Sequence, residues 1–207
     1  MARQASKPDR NRALRPAHLV SGIVVGVFLV LHLFNHTAMF WGTAEHRSVM
    51  DTLRPMYRDP FVESLLMAAL GFQIVSGLTM VVRGWKGRRG ALAWTQALSG
   101  IALALFLINH VASVWWGRLA LALDTNYWFA AAGYHAGLAR FFIPYYFIGV
   151  GALFFYIACA LAWRPSGRVR RAASAITGGA GIVLGAAFTT IMATNAAIPS
   201  PYLATYQ

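Results

Sequence analysis

The sequence predicts an all-α fold: a single domain over residues 1–207 that forms an integral membrane bundle of five transmembrane helices. Of its 207 residues, 58% are hydrophobic and only 12% charged. The mean hydropathy of +0.54 lies above the range of ordinary soluble domains. Apolar runs fall at about 18–42, 61–82, 92–117, 141–163 and 172–194, each close to the roughly 20 residues needed to cross a hydrocarbon core. Basic residues then alternate between the connections, as they do in multi-pass proteins.

The chain starts with a basic segment, 1–16, carrying Arg3, Lys7, Arg10, Arg12 and Arg15. Arg83, Lys86, Arg88 and Arg89 separate spans two and three, and Arg164, Arg168, Arg170 and Arg171 separate spans four and five. Thirteen of the 18 Lys and Arg therefore fall on one side, against Arg47, Arg54, Arg58, Arg118 and Arg140 on the other. The positive-inside rule places the N-terminus in the cytoplasm and the C-terminus outside. The net charge of +12 sits in short clusters flanking the spans, where topology and anionic lipid account for it, so no nucleic acid partner is expected. The first run is too long for a signal-peptide core and stays as a helix.

Span one, about 18–42, and span three, about 92–117, echo each other. Ser21-Gly22-Ile23, Phe28-Leu29 and His32 return as Ser99-Gly100-Ile101, Phe106-Leu107 and His110, with nine residues between each glycine and its histidine. Both helices run outward, which puts both histidines in the outer half of the bilayer. Ionisable side chains at that depth mark a functional site by default. Two imidazoles at matched depth on parallel helices suit the axial coordination of one b-type haem, whose iron then has no open position. The glycines Gly22, Gly26 and Gly100 leave room for a flat macrocycle or for close helix approach. His36, one turn beyond His32 on the same face, is an alternative ligand or a propionate contact. His18 and Ser21, at the inner end of span one, are candidates for a quinone pocket.

Span two, about 61–82, opens with Asp59 as N-cap and Pro60 at the first helical position. Glu63 is the only carboxylate inside any span, and the helix dipole favours it near that start. Between spans three and four, Leu119–Ala139 is too polar at Asp124-Thr125-Asn126 to cross a membrane and reads as a short interfacial helix. His46 and His135 lie in outer loops and are expected to be solvated. Cys159, the lone cysteine, reads as a packing residue in span four, about 141–163, and rules out covalent c-type haem attachment. Trp41, Trp115, Trp116, Tyr127 and Trp128 at one interface, with Trp85, Trp94 and Trp163 at the other, form aromatic belts. In span five, about 172–194, Gly178, Gly181 and Gly185 form a helix-packing face, within the chain or toward another subunit.

These motifs together resemble the cytochrome b membrane-anchor subunit of succinate dehydrogenase and quinol:fumarate reductase, five-helix type. The similarity covers about residues 14–194. It rests on His18-Leu19-Val20-Ser21-Gly22 leading to His32, and on Gln96-Ala97-Leu98-Ser99-Gly100 leading to His110. The resemblance implies an outer haem held by His32 and His110, and a multi-pass protein of the bacterial inner membrane. It implies partner flavoprotein and iron–sulfur subunits, electron exchange with membrane quinone, and Glu63 as proton acceptor from quinol. Where the family places its inner haem ligands this chain has Gln73, in Gln73-Ile74-Val75-Ser76-Gly77, and Tyr156. The resemblance therefore implies one haem rather than two, with Gln73 and Tyr156 hydrogen-bonded at the vacated depth. The chain carries no flavin fingerprint and no iron–sulfur ligands, so it is expected as a non-catalytic electron-transfer subunit. The alternative is a haem-free structural or assembly subunit of a membrane complex.

Overall fold

The computed structural model describes residues 11–163, 167–194 and 197–206. The first ten residues and Arg164 lie outside them, and with them part of the charge asymmetry on which the orientation rests. Eight α-helices follow in order: α1 (Leu14–Thr37), α2 (Thr43–Tyr57), α3 (Pro60–Gly84), α4 (Ala91–Leu119), α5 (Tyr127–His135), α6 (Ala139–Ala162), α7 (Arg168–Thr194) and α8 (Ser200–Leu203). No strand occurs among the described residues. Five of the helices, α1, α3, α4, α6 and α7, are long and apolar enough to cross a membrane. They match the five expected spans to within about five residues at each end.

Local chemistry sets the helix starts. Asp59 caps α3, its carboxylate accepting from the backbone N–H of Phe61 (3.0 Å) and Val62 (3.2 Å), with Pro60 in the first turn. Asn126 caps α5 in the same way through Trp128 and Phe129, and α5 is the short helix expected between spans three and four, with Tyr127, Ala131, Ala132 and Tyr134 buried. Gly42 enters α2 at φ +142, a conformation that disfavours any residue with a side chain.

Helix α1 packs on α3, while α4, α6 and α7 form a second group whose tightest seam is α6 against α7. That seam uses the span-five glycines: a Cβ on Gly185 meets the Phe147 carbonyl at 3.2 Å, and one on Gly178 meets the Phe155 ring at 3.4 Å. The glycine face is therefore intramolecular, and Cys159 is buried at the same seam's helix, α6, as a packing residue.

The two groups touch lightly through α3 and α4, so the middle of the bundle is hollow. A cavity of about 1940 Å³ runs along its length, from Arg15 and Lys86 at the N-terminal end to Arg58 and Arg118 at the far end. On α1 the residues Leu19, Ile23, Val27, Val30 and Phe34 point outward and are exposed. Their spacing traces one helical stripe toward lipid, while His18, Gly22, Leu29, His32 and His36 line the cavity.

The hydrophobic core sits at the far end, not mid-bundle. Met39, Tyr127, Ala131, Ala132, Tyr134, Phe188, Met192 and Ile198 bury one another there, closing the cavity with α5 and the chain end. Helix α2, in a stretch expected as an outer loop, folds across this end and packs on α1, α3 and α5.

Candidate functional site

The two echoed histidines meet. His32 on α1 and His110 on α4 face each other across the cavity with ring centroids 6.0 Å apart and planes at 69°. Each imidazole is stacked on the phenylalanine one turn earlier on its own helix: Phe28 on His32 at 5.2 Å and Phe106 on His110 at 5.3 Å. The echoed Phe-x-x-x-His spacing is thus a structural unit, an aromatic plate holding each ring at a fixed orientation. Phe106 is itself held: its ring packs on Tyr145, and its carbonyl accepts from the Tyr145 hydroxyl at 3.1 Å. The His110 imidazole makes no hydrogen bond to another described residue, so its nitrogens are available to the cavity.

A separation of 6.0 Å has chemical meaning. With a metal–imidazole bond of about 2 Å and roughly 1.1 Å from ring nitrogen to ring centre, two imidazoles on opposite sides of one iron have centroids about 6 Å apart. The space around the pair also suits a macrocycle. The cavity exceeds the ~300–1,000 Å³ of a typical ligand site, and a Cβ on the cavity-lining Gly26 meets nothing within 4 Å. Among the described residues no three or more His, Cys, Asp or Glu converge to hold a bare metal ion. The facing donors here are the two imidazoles of His32 and His110.

His36 lies beside His32, its Nε2 3.2 Å from the His32 Nε2, with one of the two nitrogens donating and the other accepting. It faces His46 and Phe188 at 5.7 and 6.0 Å, so of the two α1 candidates His32 is the one opposite His110. His46 corrects the sequence reading. It is not solvated: α2 carries it over the end of the bundle, where it is 2% exposed and its Nε2 accepts from Asn35 Nδ2 at 3.4 Å. Burial, with the neighbouring Arg54 cation, lowers its pKa to about 4. Nor is His135 free in a loop, since its Nε2 donates to the Met192 carbonyl at 2.9 Å. The Nδ1 atoms of His36 and His46 and the Asn35 Oδ1 have no partner among the described residues.

At the N-terminal end of the cavity Gln73 and Tyr156 come together, through His18 rather than directly. Ser76 donates to the Phe72 carbonyl, so it accepts from His18 Nδ1–H at 2.7 Å. That assigns the tautomer: His18 Nε2 accepts from Tyr156 OH and from Gln73 Nε2, each at 3.0 Å. Gln73 Oε1 accepts from Ser21 at 2.6 Å. The five side chains form one satisfied network around a neutral imidazole. Glycines give it room: a Cβ on Gly22 comes within 3.1 Å of Gln73, on Gly77 within 3.3 Å of His18, and on Gly100 within 3.3 Å of Tyr156.

Comparison with known proteins identifies no relative. No family model, curated protein or solved structure matches the chain.

Glu63 has a partner that the sequence did not reveal. Arg118, near the end of α4, holds both its carboxylate oxygens, with Nη2 to Oε2 at 3.3 Å, and stacks over Trp115 at 5.4 Å. Both residues of the pair are largely covered, at 19% and 24% side-chain exposure. Glu63 therefore serves both as a first-turn acid and as one half of an α3–α4 clamp, where a bidentate guanidinium gives geometric as well as electrostatic hold.

Proposed function

We propose that this chain holds one b-type haem between His32 and His110. We further propose that it acts as the membrane-anchor subunit of an electron-transfer complex resembling succinate dehydrogenase or quinol:fumarate reductase. The observation that carries this is the facing pair of imidazoles, 6.0 Å apart, in a cavity wide enough for a macrocycle. When bound, haem supplies one-electron transfer, and two imidazole ligands keep it six-coordinate and closed to oxygen.

The chain's own residues orient and insulate. Phe28 and Phe106 fix the ring planes of the ligands, and apolar residues such as Leu29, Leu103 and Leu107 wall the site and keep water away. The His18 network supports a single-haem reading, because five interlocked polar side chains fill the depth where the resembled family has its second ligand pair. In this reading the N-terminal end faces the cytoplasm of a bacterial inner membrane. Flavoprotein and iron–sulfur partners dock there, and quinone exchanges electrons with the bundle. His18 and Ser21 are spent on Gln73, Ser76 and Tyr156 in this structure, so a quinone using them must displace those bonds.

The contact between His32 and His36 Nε2 atoms favours a second reading, a haem-free structural or assembly subunit in which the two imidazoles satisfy each other. Mutation separates the two. His32→Ala and His110→Ala should each remove the low-spin haem spectrum of the purified protein while it remains membrane-inserted. His36→Ala should retain haem with an altered potential. A spectrum that survives His32→Ala but not His36→Ala moves the ligand by one turn, and a spectrum indifferent to all three ends the proposal.

A further inference from the structure

Three guanidinium groups gather at the far end of the cavity, and two of them have carboxylate partners. Arg118 is clamped by Glu63. Arg54 pairs with Asp124 at 2.8 Å and reaches Asp51 at 3.8 Å. Arg58, at the end of α2, has neither kind of partner. Its Nη2 donates to the neutral Thr125 hydroxyl at 2.8 Å, and no carboxylate of a described residue lies within 4.0 Å of it. The nearest in sequence, Asp59, is committed to the N-cap of α3. Arg58 is partly buried and lines the cavity. Its pKa is lowered first by that burial and then by the Arg54 and Arg118 cations, with Tyr57 and Asp124 opposing more weakly. A half-covered cation near two others, hydrogen-bonded only to a neutral hydroxyl, favours an anion as partner.

Position identifies the anion's source. Tyr57, the residue before Arg58, sets its ring edge against Phe28 at 5.5 Å, and Phe28 is the plate behind His32. Arg118 lies eight residues beyond His110 on α4, about 12 Å along the axis. Both guanidiniums are thus within reach of the edge of a macrocycle held between the two histidines. The other cavity-lining cations, Arg15, Arg83, Lys86 and Arg88, stand at the opposite mouth. Arg15 is 17 residues, or about 25 Å, from His32, with the His18 network between. Among the described residues, the far end is where positive charge stands at macrocycle distance.

We infer that Arg58 is the propionate-binding residue of the site, with Arg118 at its side, and that the macrocycle stands with its carboxylates toward the far end. The assignment rests on the haem reading above. Arg58 touches neither iron nor its ligands: it anchors the porphyrin edge by a charge-assisted hydrogen bond and lowers the negative charge felt by the iron.

The test compares the purified wild type with Arg58→Gln, Arg58→Lys and, as a control, Arg47→Gln, which breaks only an exposed pair with Asp51. Pyridine haemochrome content, equilibrium redox titration and the propionate-bending band of the resonance Raman spectrum are measured for each. Arg58→Gln should keep the low-spin spectrum, lose haem on dilution about tenfold faster, lower the midpoint potential and shift the propionate band. The potential falls because an uncompensated carboxylate favours ferric iron. Arg58→Lys should recover part of each change, and Arg47→Gln should match wild type. Wild type that holds haem, with Arg58→Gln unchanged in potential and Raman band, overturns this assignment alone. Wild type that holds no haem overturns the haem reading and the assignment together.

Discussion

Gly149 on α6 is where a single methyl group should disturb the haem-ligand geometry. A Cβ there lies 2.5 Å from Phe106 Cε2 and 2.6 Å from Cγ, where ordinary contact begins at 3.4 Å. The Phe106 ring must therefore retreat by at least 3.4 − 2.5 = 0.9 Å. Tyr145 and Tyr146 pack around it at 4.8 and 6.0 Å and His110 stacks on it at 5.3 Å, so a displaced ring disturbs the stack. Gly149→Ala should destabilise the bundle by about 1–3 kcal/mol, the usual cost of overpacking. It should also turn the His110 plane away from its 69° angle to His32. Thermal unfolding in detergent reads the first effect. Low-temperature EPR reads the second, because the g anisotropy of a low-spin bis-imidazole iron follows the angle between the two planes. Gly151, whose Cβ meets nothing within 4 Å, is the control: Gly151→Ala should be neutral or stabilising by up to about 1 kcal/mol. Equal stability and identical EPR for the two alanine variants would refute the claim that Phe106 is the plate that orients His110.

Three further outcomes follow from the same geometry. Glu63→Gln leaves Arg118 without its carboxylate and should cost about 1–3 kcal/mol; if quinol-driven haem reduction also stops while haem content holds, Glu63 is the proton acceptor, and if only stability falls it is a clamp. Tyr156→Phe removes one of two donors to His18 and should cost about 0.5–1.5 kcal/mol in thermal unfolding, leaving the haem spectrum unchanged; loss of haem would mean that the network belongs to the ligand site. His46, with a folded pKa of about 4 against 6.5 when unfolded, binds its proton more readily in the unfolded chain. Stability should therefore fall as pH drops from about 6.5 to 4, by up to about 3 kcal/mol, and His46→Gln should flatten that part of the pH–stability curve.

The membrane helices were legible because length and hydropathy alone decide them, and the histidine pair because its signal is a repeat carried by single helices. Asp59 and Pro60 announced the start of α3 for the same local reason. The unforeseen features are long-range. Helix α2 is polar on average and carries Pro55 near its end, so nothing in its composition separates it from loop. Its place over the bundle depends on packing against α1, α3 and α5. The burial of His46 follows from that packing and has no local signal. The Glu63–Arg118 clamp joins residues 55 apart and the His18–Tyr156 bond residues 138 apart. Gln73 and Tyr156 were placed at one depth by the family resemblance, but the imidazole between them belongs to a third helix.

Haem stoichiometry tests the central claim most directly: pyridine haemochrome quantification on the purified, detergent-solubilised protein, with its reduced-minus-oxidised spectrum. The account predicts one b-type haem per chain with a six-coordinate low-spin spectrum. No haem would contradict the ligand pair at His32 and His110, and two per chain would contradict the reading of the His18 network as the filling of a second site.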